Sequence, residues 1–209
     1  HDPSNQLYWR REVRRLEAEA VRDAILKVSG SLNLTSPVNA PPPVKKQDPS
    51  PSDLANNRKI YESYPHRTVY LPVVRSHVYD FLTLLDFPNA STPVGHRNTT
   101  TVPTQALQMM NSHFVNEQAG LMARTILQDH AGSPTAQIDK VYWQALSRPP
   151  DRAERKDCLQ FLRMMADDHR QQLSGDILSR DELASTIEAR ALEDLCHVAF
   201  NLNEFVFQQ

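Results

Sequence analysis

The spacing of apolar residues along the chain predicts a mainly α-helical protein. In the N-terminal segment, apolar residues recur at steps of three and four, which is the period of one buried helix face. We expect this helix to start at Asp2-Pro3, because proline suits the first helical position, and to end at Gly30. Its apolar stripe consists of Val13, Leu16, Ala20, Ala24 and Val28.

The second half of the chain repeats this pattern with clear stop signals. A short helix is expected over Pro103–Met110, followed by four longer helices that pack as a bundle over residues 112–209. Two of these helices open with the capping-box pattern, in which a polar N-cap residue is followed three positions later by Glu. The pairs are Asp151 with Glu154 and Ser179 with Glu182.

Two segments interrupt the helical pattern. Residues 33–58 contain six prolines among Ser, Asn and Lys, so we expect a long, mobile loop. Thr68–Val74 alone is typical of a strand, and Pro72 restricts it to an edge position. The predicted fold is therefore mainly α, an irregular helical bundle with a long Pro-rich loop and one short edge strand or hairpin. We expect residues 1–209 to form a single domain.

Composition and charge exclude several classes of partner. The 209 residues carry a formal net charge of −2, and the arginines near the N-terminus alternate with acids such as Glu17 and Glu19. Neither feature favours nucleic acid, and an Arg15–Glu19 pair on an exposed helix face is the expected arrangement. No apolar run reaches the ~20 residues that a membrane-spanning helix needs. The chain begins without Met, so we expect a C-terminal part of a larger protein.

The motifs of common cofactors and nucleophiles are missing. Cys196-His197 lacks the first Cys of a covalent haem site, and no two histidines are spaced as ligands on one helix face. Asp167-Asp168-His169 point in different directions on a helix, so we interpret them as a solvated face. Cys158 and Cys196 lie in apolar patterns that favour buried thiols, with a disulfide as the alternative. We therefore expect neither a metal site nor a cofactor in this chain.

One span stands out, Gly95–Glu117, because polar side chains crowd there beside the apolar anchors Met109, Met110, Phe114 and Val115. In one interpretation Asn and Thr side chains cap helices and Arg97 binds buried carbonyl groups, so that the span forms a rigid corner. In the other, they line a polar pocket for a ligand or a partner domain. The candidate binding residues of that pocket are Arg97, Asn98, Gln105 and Asn111.

Five blocks of sequence occur together in a known order. They are RRLEAEAVRDAIL (Arg14–Leu26), RTVYLPVVR (Arg67–Arg75), GHRNTTTVPTQALQMMNSHFVNEQA (Gly95–Ala119), ALSRPPDRAE (Ala145–Glu154) and DLCHVAFNLNEFVF (Asp194–Phe207). From Asp2 to the C-terminus the chain thus resembles the domain of unknown function 1553 of planctomycetes and verrucomicrobia. Such domains end long secreted proteins that also carry a cytochrome c domain, and the family's usual N-terminal portion is missing here.

The resemblance implies an extracytoplasmic location and neighbouring domains that hold haem, but it transfers no catalytic residue. Two hypotheses follow. The first is a non-catalytic docking or recognition domain whose partners are other domains of the same parent protein. The second is an enzyme or ligand-binding module that acts on surface polysaccharide, with its pocket around Gly95–Glu117. A glycoside hydrolase would need two facing carboxyl groups about 5–10 Å apart.

Overall fold

A computed structural model describes residues 2, 5–9, 13–37, 50–75, 77–174 and 179–208. These residues form nine α-helices and one short pair of strands, which confirms the mainly α fold class. The helices are α1 (Ala18–Val28), α2 (Pro51–Ser63), α3 (Asp80–Leu84), α4 (Pro103–Asn111), α5 (His113–His130), α6 (Pro134–Leu146), α7 (Arg152–Gln172), α8 (Arg180–Asn201) and α9 (Asn203–Val206). The strands are β1 (Arg14–Arg15) and β2 (Phe207–Gln208).

The first helix is much shorter than predicted. It begins at Ala18, because the preceding residues bind the C-terminal segment instead of continuing the helix. Antiparallel pairing sets Arg14 opposite Gln208 and Arg15 opposite Phe207, and Leu16 N donates to Val206 O at 2.8 Å. A helical start at Asp2-Pro3 was therefore wrong, and Val13 is exposed rather than buried. At the other end, Gly30 follows α1 with φ +81°, as predicted for a helix-terminating glycine.

The predicted loop over residues 33–58 is wrong at its C-terminal end. Helix α2 begins at Pro51, because Ser50 caps it and Pro51 occupies a first-turn position where its missing N–H costs nothing. The capping box closes through Asp53, whose carboxylate accepts from Ser50 N at 3.0 Å. Residues 38–49, where the loop was expected to be mobile, lie outside the described residues.

The predicted strand at Thr68–Val74 is also wrong. A 3₁₀ turn spans Thr68–Tyr70, and no ladder forms over residues 68–74. Asp23 accepts hydrogen bonds from Thr68 N at 2.7 Å and from Thr68 Oγ1 at 2.6 Å. These bonds fix the segment against α1, so a side-chain acceptor distant in sequence replaces the sheet partner that the pattern alone suggested.

The bundle expected over the second half of the chain is present. Helix α8 packs along both α5 and α7, and α6 closes the group. Both predicted capping boxes form, with Asp151 accepting from Glu154 N and Ser179 accepting from Glu182 N.

The core contains the free thiols of Cys158 and Cys196, as predicted, and burial raises the pKa of both. Among the described helices, none combines the length and the apolarity that spanning a bilayer requires.

Candidate interaction site around residues 95–111

The first part of the polar span, Gly95–Thr101, is exposed and irregular. It connects the loop that follows α3 to the start of α4. Helix α4 then begins at Pro103, a first-turn proline. Gln105 turns back to this helix start, where its Oε1 accepts from Val102 N at 3.4 Å. The span thus joins the α1–α3 corner to the helical bundle.

Asp86 is the centre of this junction. It has φ +64°, a left-handed conformation that Asp tolerates better than most residues. Its carboxylate accepts from Thr100 N at 2.7 Å, from Thr100 Oγ1 at 2.8 Å and from Gln105 Nε2 at 3.2 Å. Arg15 Nη2 adds an ion pair at 2.6 Å. Burial raises the pKa of Asp86, but the bonds from Thr100 and Arg15 outweigh it and hold the pKa below its ordinary value.

Arg97 binds α1 rather than a pocket. Its Nη1 lies 2.7 Å from Glu19 Oε2 and 3.2 Å from Glu17 Oε2, and its guanidinium stands 5.9 Å from the ring centre of Phe87. The hydrogen bond to Glu19 raises the pKa of Arg97. The expected Arg15–Glu19 pair was therefore wrong, because Glu19 pairs with Arg97 and Arg15 pairs with Asp86.

The other two candidate residues lie apart. Asn98 is exposed, and Asn111 donates from Nδ2 to Leu107 O at 2.9 Å within its own helix. Gln105 is buried beside Asp86 and lines a pocket whose lining does not include Arg97, Asn98 or Asn111. The structure thus links Gln105 to the junction but does not bring the four predicted residues together.

The pocket beside Gln105 has a volume of about 100 Å³. Its walls come from α4, from the junction of α8 with α9 and from β2, and Arg15 lies in its lining. The Arg15 side chain is only 4% exposed, and its Nη2 donates to Leu85 O at 3.1 Å and to Asp86. Its Nε and Nη1 are buried, and no group of the described residues accepts a hydrogen bond from them. We call this feature the Arg15 pocket.

Sequence reasoning missed Arg15 as a binding candidate. Arg14 and Arg15 stand in a run of alternating charges, which is normally a solvated helix face. The strand pairing with the C-terminal segment turns Arg15 inward, and no local sequence signal reports a contact between residues about 190 positions apart.

Helix α4 carries a second feature, an apolar face directed away from the core. Gln105 and Met109 are buried, whereas Leu107 is 55% and Met110 54% exposed. Pro103 and Ala106 are exposed on the same side, so the spacing is that of a continuous apolar helix stripe. We call Pro103, Ala106, Leu107 and Met110 the α4 outer face. Ala106 also lines the Arg15 pocket, so the two features adjoin.

A second buried arginine serves the fold. Arg22 is 0% exposed, and its Nη1 and Nη2 donate to His66 O, Thr68 Oγ1, Tyr61 O and Tyr64 O at 2.6–3.3 Å. Burial lowers its pKa. Buried carbonyls as arginine partners were expected at Arg97, but Arg22 is the residue that has them.

Two carboxylates share a different cleft, of about 340 Å³, between α2 and α3. Its lining includes Glu62, Asp80 and Tyr79 together with Gln108 from α4. Arg58 Nε donates to Glu62 Oε1 at 2.8 Å. The Tyr79 hydroxyl is buried and has no hydrogen-bond partner in the part of the chain that the structure describes. Burial raises the pKa of Tyr79, so this phenol stays protonated in the neutral range.

A further cavity lies at the bundle end of the molecule. It has a volume of about 560 Å³ between α6, α7 and α8, and Arg163, Arg170 and Arg180 line it together with apolar residues. Nearby, His169 Nε2 lies 2.7 Å from Asp194 Oδ2, and the His169 side chain is 15% exposed, so it does not belong to a solvated face. Among the residues that the structure describes, no three His, Cys, Asp or Glu side chains gather as metal ligands would.

Comparison with known proteins gives one match. A family model described as PSD1, protein of unknown function (DUF1553), matches residues 1–162 of the 209. The match includes α4, Asp86 and Arg15 but ends before the block Asp194–Phe207, although the resemblance was expected to reach the C-terminus. No curated protein and no solved structure matches the chain.

Proposed function

The chain belongs to this DUF1553 family, and we propose that it is a non-catalytic docking domain that binds another part of its parent protein through the α4 outer face. The observation that carries the proposal is the pair of exposed apolar residues Leu107 and Met110 on a helix whose opposite side is buried. Burying such a face against a partner is favourable by roughly 25 cal/mol per Å² of apolar area. An amphipathic helix face of this kind is a recurrent recognition element.

The polar side chains near the α4 outer face favour a docking role over a catalytic one. Asp86, Arg97 and Gln105 are engaged with one another or with α1, so they hold α4 in place instead of converging on a substrate. A rigid platform suits recognition because little conformational entropy is lost when a partner binds.

The resemblance in the sequence supports the wider setting. In this proposal the parent is a large extracytoplasmic protein associated with cytochrome c, and its haem lies outside the present chain. The chain itself then holds no cofactor. Metal analysis and a haem assay of the purified chain test this part, and stoichiometric haem or metal would overturn it.

Calorimetric titration tests the docking role. The 209-residue chain is titrated with the remaining part of its parent protein, produced as a separate polypeptide. Leu107→Gln with Met110→Gln is expected to weaken binding at least about tenfold, because two apolar side chains of ~1 kcal/mol or more each leave the interface. The matched control replaces Trp143 and Met164, two exposed apolar residues elsewhere, with Gln. Equal binding by the two double variants, or no binding of the unaltered chain, would refute the proposal.

The cleft with Glu62 and Asp80 favours a second candidate, a binding site or enzyme acting on surface polysaccharide. Paired carboxylates and a buried tyrosine hydroxyl are groups that bind or hydrolyse sugars. This cleft includes Gln108, so it touches the polar span where such a pocket was expected.

The second candidate has its own experiment. The chain is assayed for hydrolysis and for binding on a panel of polysaccharides, alongside Glu62→Gln and Asp80→Asn. Activity or binding that both variants abolish, and that Asp167→Asn at an exposed position retains, would establish it. No binding and no hydrolysis by the unaltered chain on any member of the panel would exclude it.

A further inference from the structure

We infer that the Arg15 pocket binds a carboxylate carried by the polypeptide segment that docks on the α4 outer face. The inference rests on the proposed docking function for the identity of the partner. Its chemistry, however, comes from Arg15 itself and is tested separately below.

The Arg15 side chain carries hydrogen-bond donors that the described fold does not use. A guanidinium has five N–H groups, and Nη2 uses its two on Leu85 O and Asp86. The remaining N–H groups, on Nε and Nη1, are buried, and the residues that the structure describes offer them no acceptor. Buried donors without acceptors cost free energy, roughly 1–3 kcal/mol per group, so a bound acceptor at this position is favoured.

Hydrogen-bond strength rather than net charge favours a carboxylate as the acceptor, because Arg15 and Asp86 already compensate each other's charge. Asp86 is the acid that faces Arg15, and three donor groups besides Arg15 already stabilise it, namely the amide and hydroxyl of Thr100 and the amide of Gln105. Arg15 therefore supplies only part of the stabilisation of Asp86. Hydrogen bonds between a guanidinium and a carboxylate are about twice as strong as neutral ones, so a carboxylate gains more here than an amide.

The walls of the pocket fit a small group at the end of a short stem. The pocket is small, with a volume of about 100 Å³. Thr101, Asn201 and Asn203 contribute polar side chains, whereas Met109, Val206 and Phe207 contribute apolar ones.

The position of the pocket identifies the partner. Ala106 belongs both to the pocket lining and to the α4 outer face, so an apolar segment lying along α4 places its neighbouring side chains over Arg15. The occupant is therefore an apolar segment of the partner that carries an Asp or Glu side chain.

Acetate serves as the probe, with acetamide as its neutral isostere and chloride at equal ionic strength as the control. The Arg15 Nε–H signal of the 209-residue chain is followed by ¹H–¹⁵N NMR. It is expected to shift with saturation on adding acetate, while acetamide and chloride leave it in place and the Arg22 Nε–H signal does not move.

Ala106→Leu is designed to fill the pocket without touching the Arg15–Asp86 pair. It is expected to weaken acetate binding by about tenfold, the size expected when a charge-assisted hydrogen bond is lost. The control Ala153→Leu adds the same volume at an exposed position of α7 and should bind acetate normally.

An Arg15 signal that responds equally to acetate, acetamide and chloride would overturn the inference, because water then satisfies the donors. Normal acetate binding by Ala106→Leu would overturn it as well. Docking through α4 survives either result, since its loss is measured with the Leu107 and Met110 variants. Conversely, acetate can bind at Arg15 even if the partner segment does not dock.

Discussion

The two buried arginines at the N-terminal corner of the molecule make an instructive comparison. Arg22 is 0% exposed and Arg15 4% by side chain, and both come from a segment that reads as an ordinary charged helix. Arg22 donates to four acceptors of the Tyr61–Thr68 segment and leaves only Nε without an acceptor among the described residues. Arg15 donates to two acceptors and leaves both Nε and Nη1 without one in the same part of the chain. The first arginine is committed to the fold, and the second keeps hydrogen-bonding capacity for a partner.

The largest effect is expected at Arg22. Arg22→Met leaves the buried carbonyls of Tyr61 and Tyr64 without their donor, so we expect the free energy of unfolding to fall by about 3 kcal/mol or more. Urea unfolding with an unchanged m-value measures this loss. Arg170→Met, at an exposed pair with Asp167, is the control and should change stability by about 0.5 kcal/mol or less. If Arg22→Met lowers the free energy of unfolding no more than Arg170→Met does, Arg22 does not have the structural role that we assign to it.

Arg15→Met should cost less, about 1–2 kcal/mol. Removing one partner of a buried ion pair is usually expensive, but Asp86 keeps the three hydrogen bonds from Thr100 and Gln105. Met also removes the N–H groups that have no acceptor. Urea unfolding of both variants shows which one loses more free energy of unfolding. A loss for Arg15→Met equal to or greater than that for Arg22→Met would contradict our account.

Asp86→Asn is expected to cost about 1 kcal/mol at pH 7 and to do so in a pH-dependent way. Since the pKa of Asp86 is lowered in the folded state, its ionised form stabilises the protein above the unfolded pKa of about 3.9. That contribution is lost as the pH falls through the folded pKa, so wild type and Asp86→Asn should converge below about pH 4. Asn tolerates φ +64°, which keeps the backbone unchanged.

Unfolding curves at several pH values test this convergence. Asp167→Asn, at an exposed ion pair, provides the baseline and should show little difference at any pH. If the gap between wild type and Asp86→Asn stays constant from pH 7 to pH 3, Asp86 does not act through its charge.

The smallest change in stability is expected on the α4 outer face. Leu107→Gln with Met110→Gln should alter the free energy of unfolding by about 0.5 kcal/mol or less, because both side chains are exposed. Thermal unfolding measures this. A loss of several kcal/mol would mean that the face is part of the core, and its role as a docking surface would be withdrawn.

Elements that depend on residues close in sequence could be predicted from the sequence, whereas elements that depend on contacts between distant residues could not. The bundle helices and the capping boxes at Asp151 and Ser179 depend on local spacing, and they are where the pattern indicates. The strand at Thr68–Val74 and the helix start at Asp2 were wrong because distant groups bind those segments, namely Asp23 and the β2 strand.

The candidate site shows the same difference between residues that local sequence identifies and residues that only long-range contacts identify. Gln105 was recognised from its polar surroundings, and it does take part in the Asp86 junction. Arg15 was not recognised, since its burial depends on pairing with Phe207 at the far end of the chain. Of the apolar residues expected to anchor the span, Met109 is buried and Met110 is exposed, a difference of one position that only the packing of α4 decides.

Amide hydrogen exchange tests the docking claim most directly. The 209-residue chain is measured alone and after addition of the remaining part of its parent protein. Our account predicts added protection in α4 and around Thr100 and Thr101, with no change in the Tyr61–Thr68 segment that Arg22 binds. Protection at the Tyr61–Thr68 segment or in α7 with none in α4 would contradict the account, as would an exchange pattern that the partner leaves unchanged.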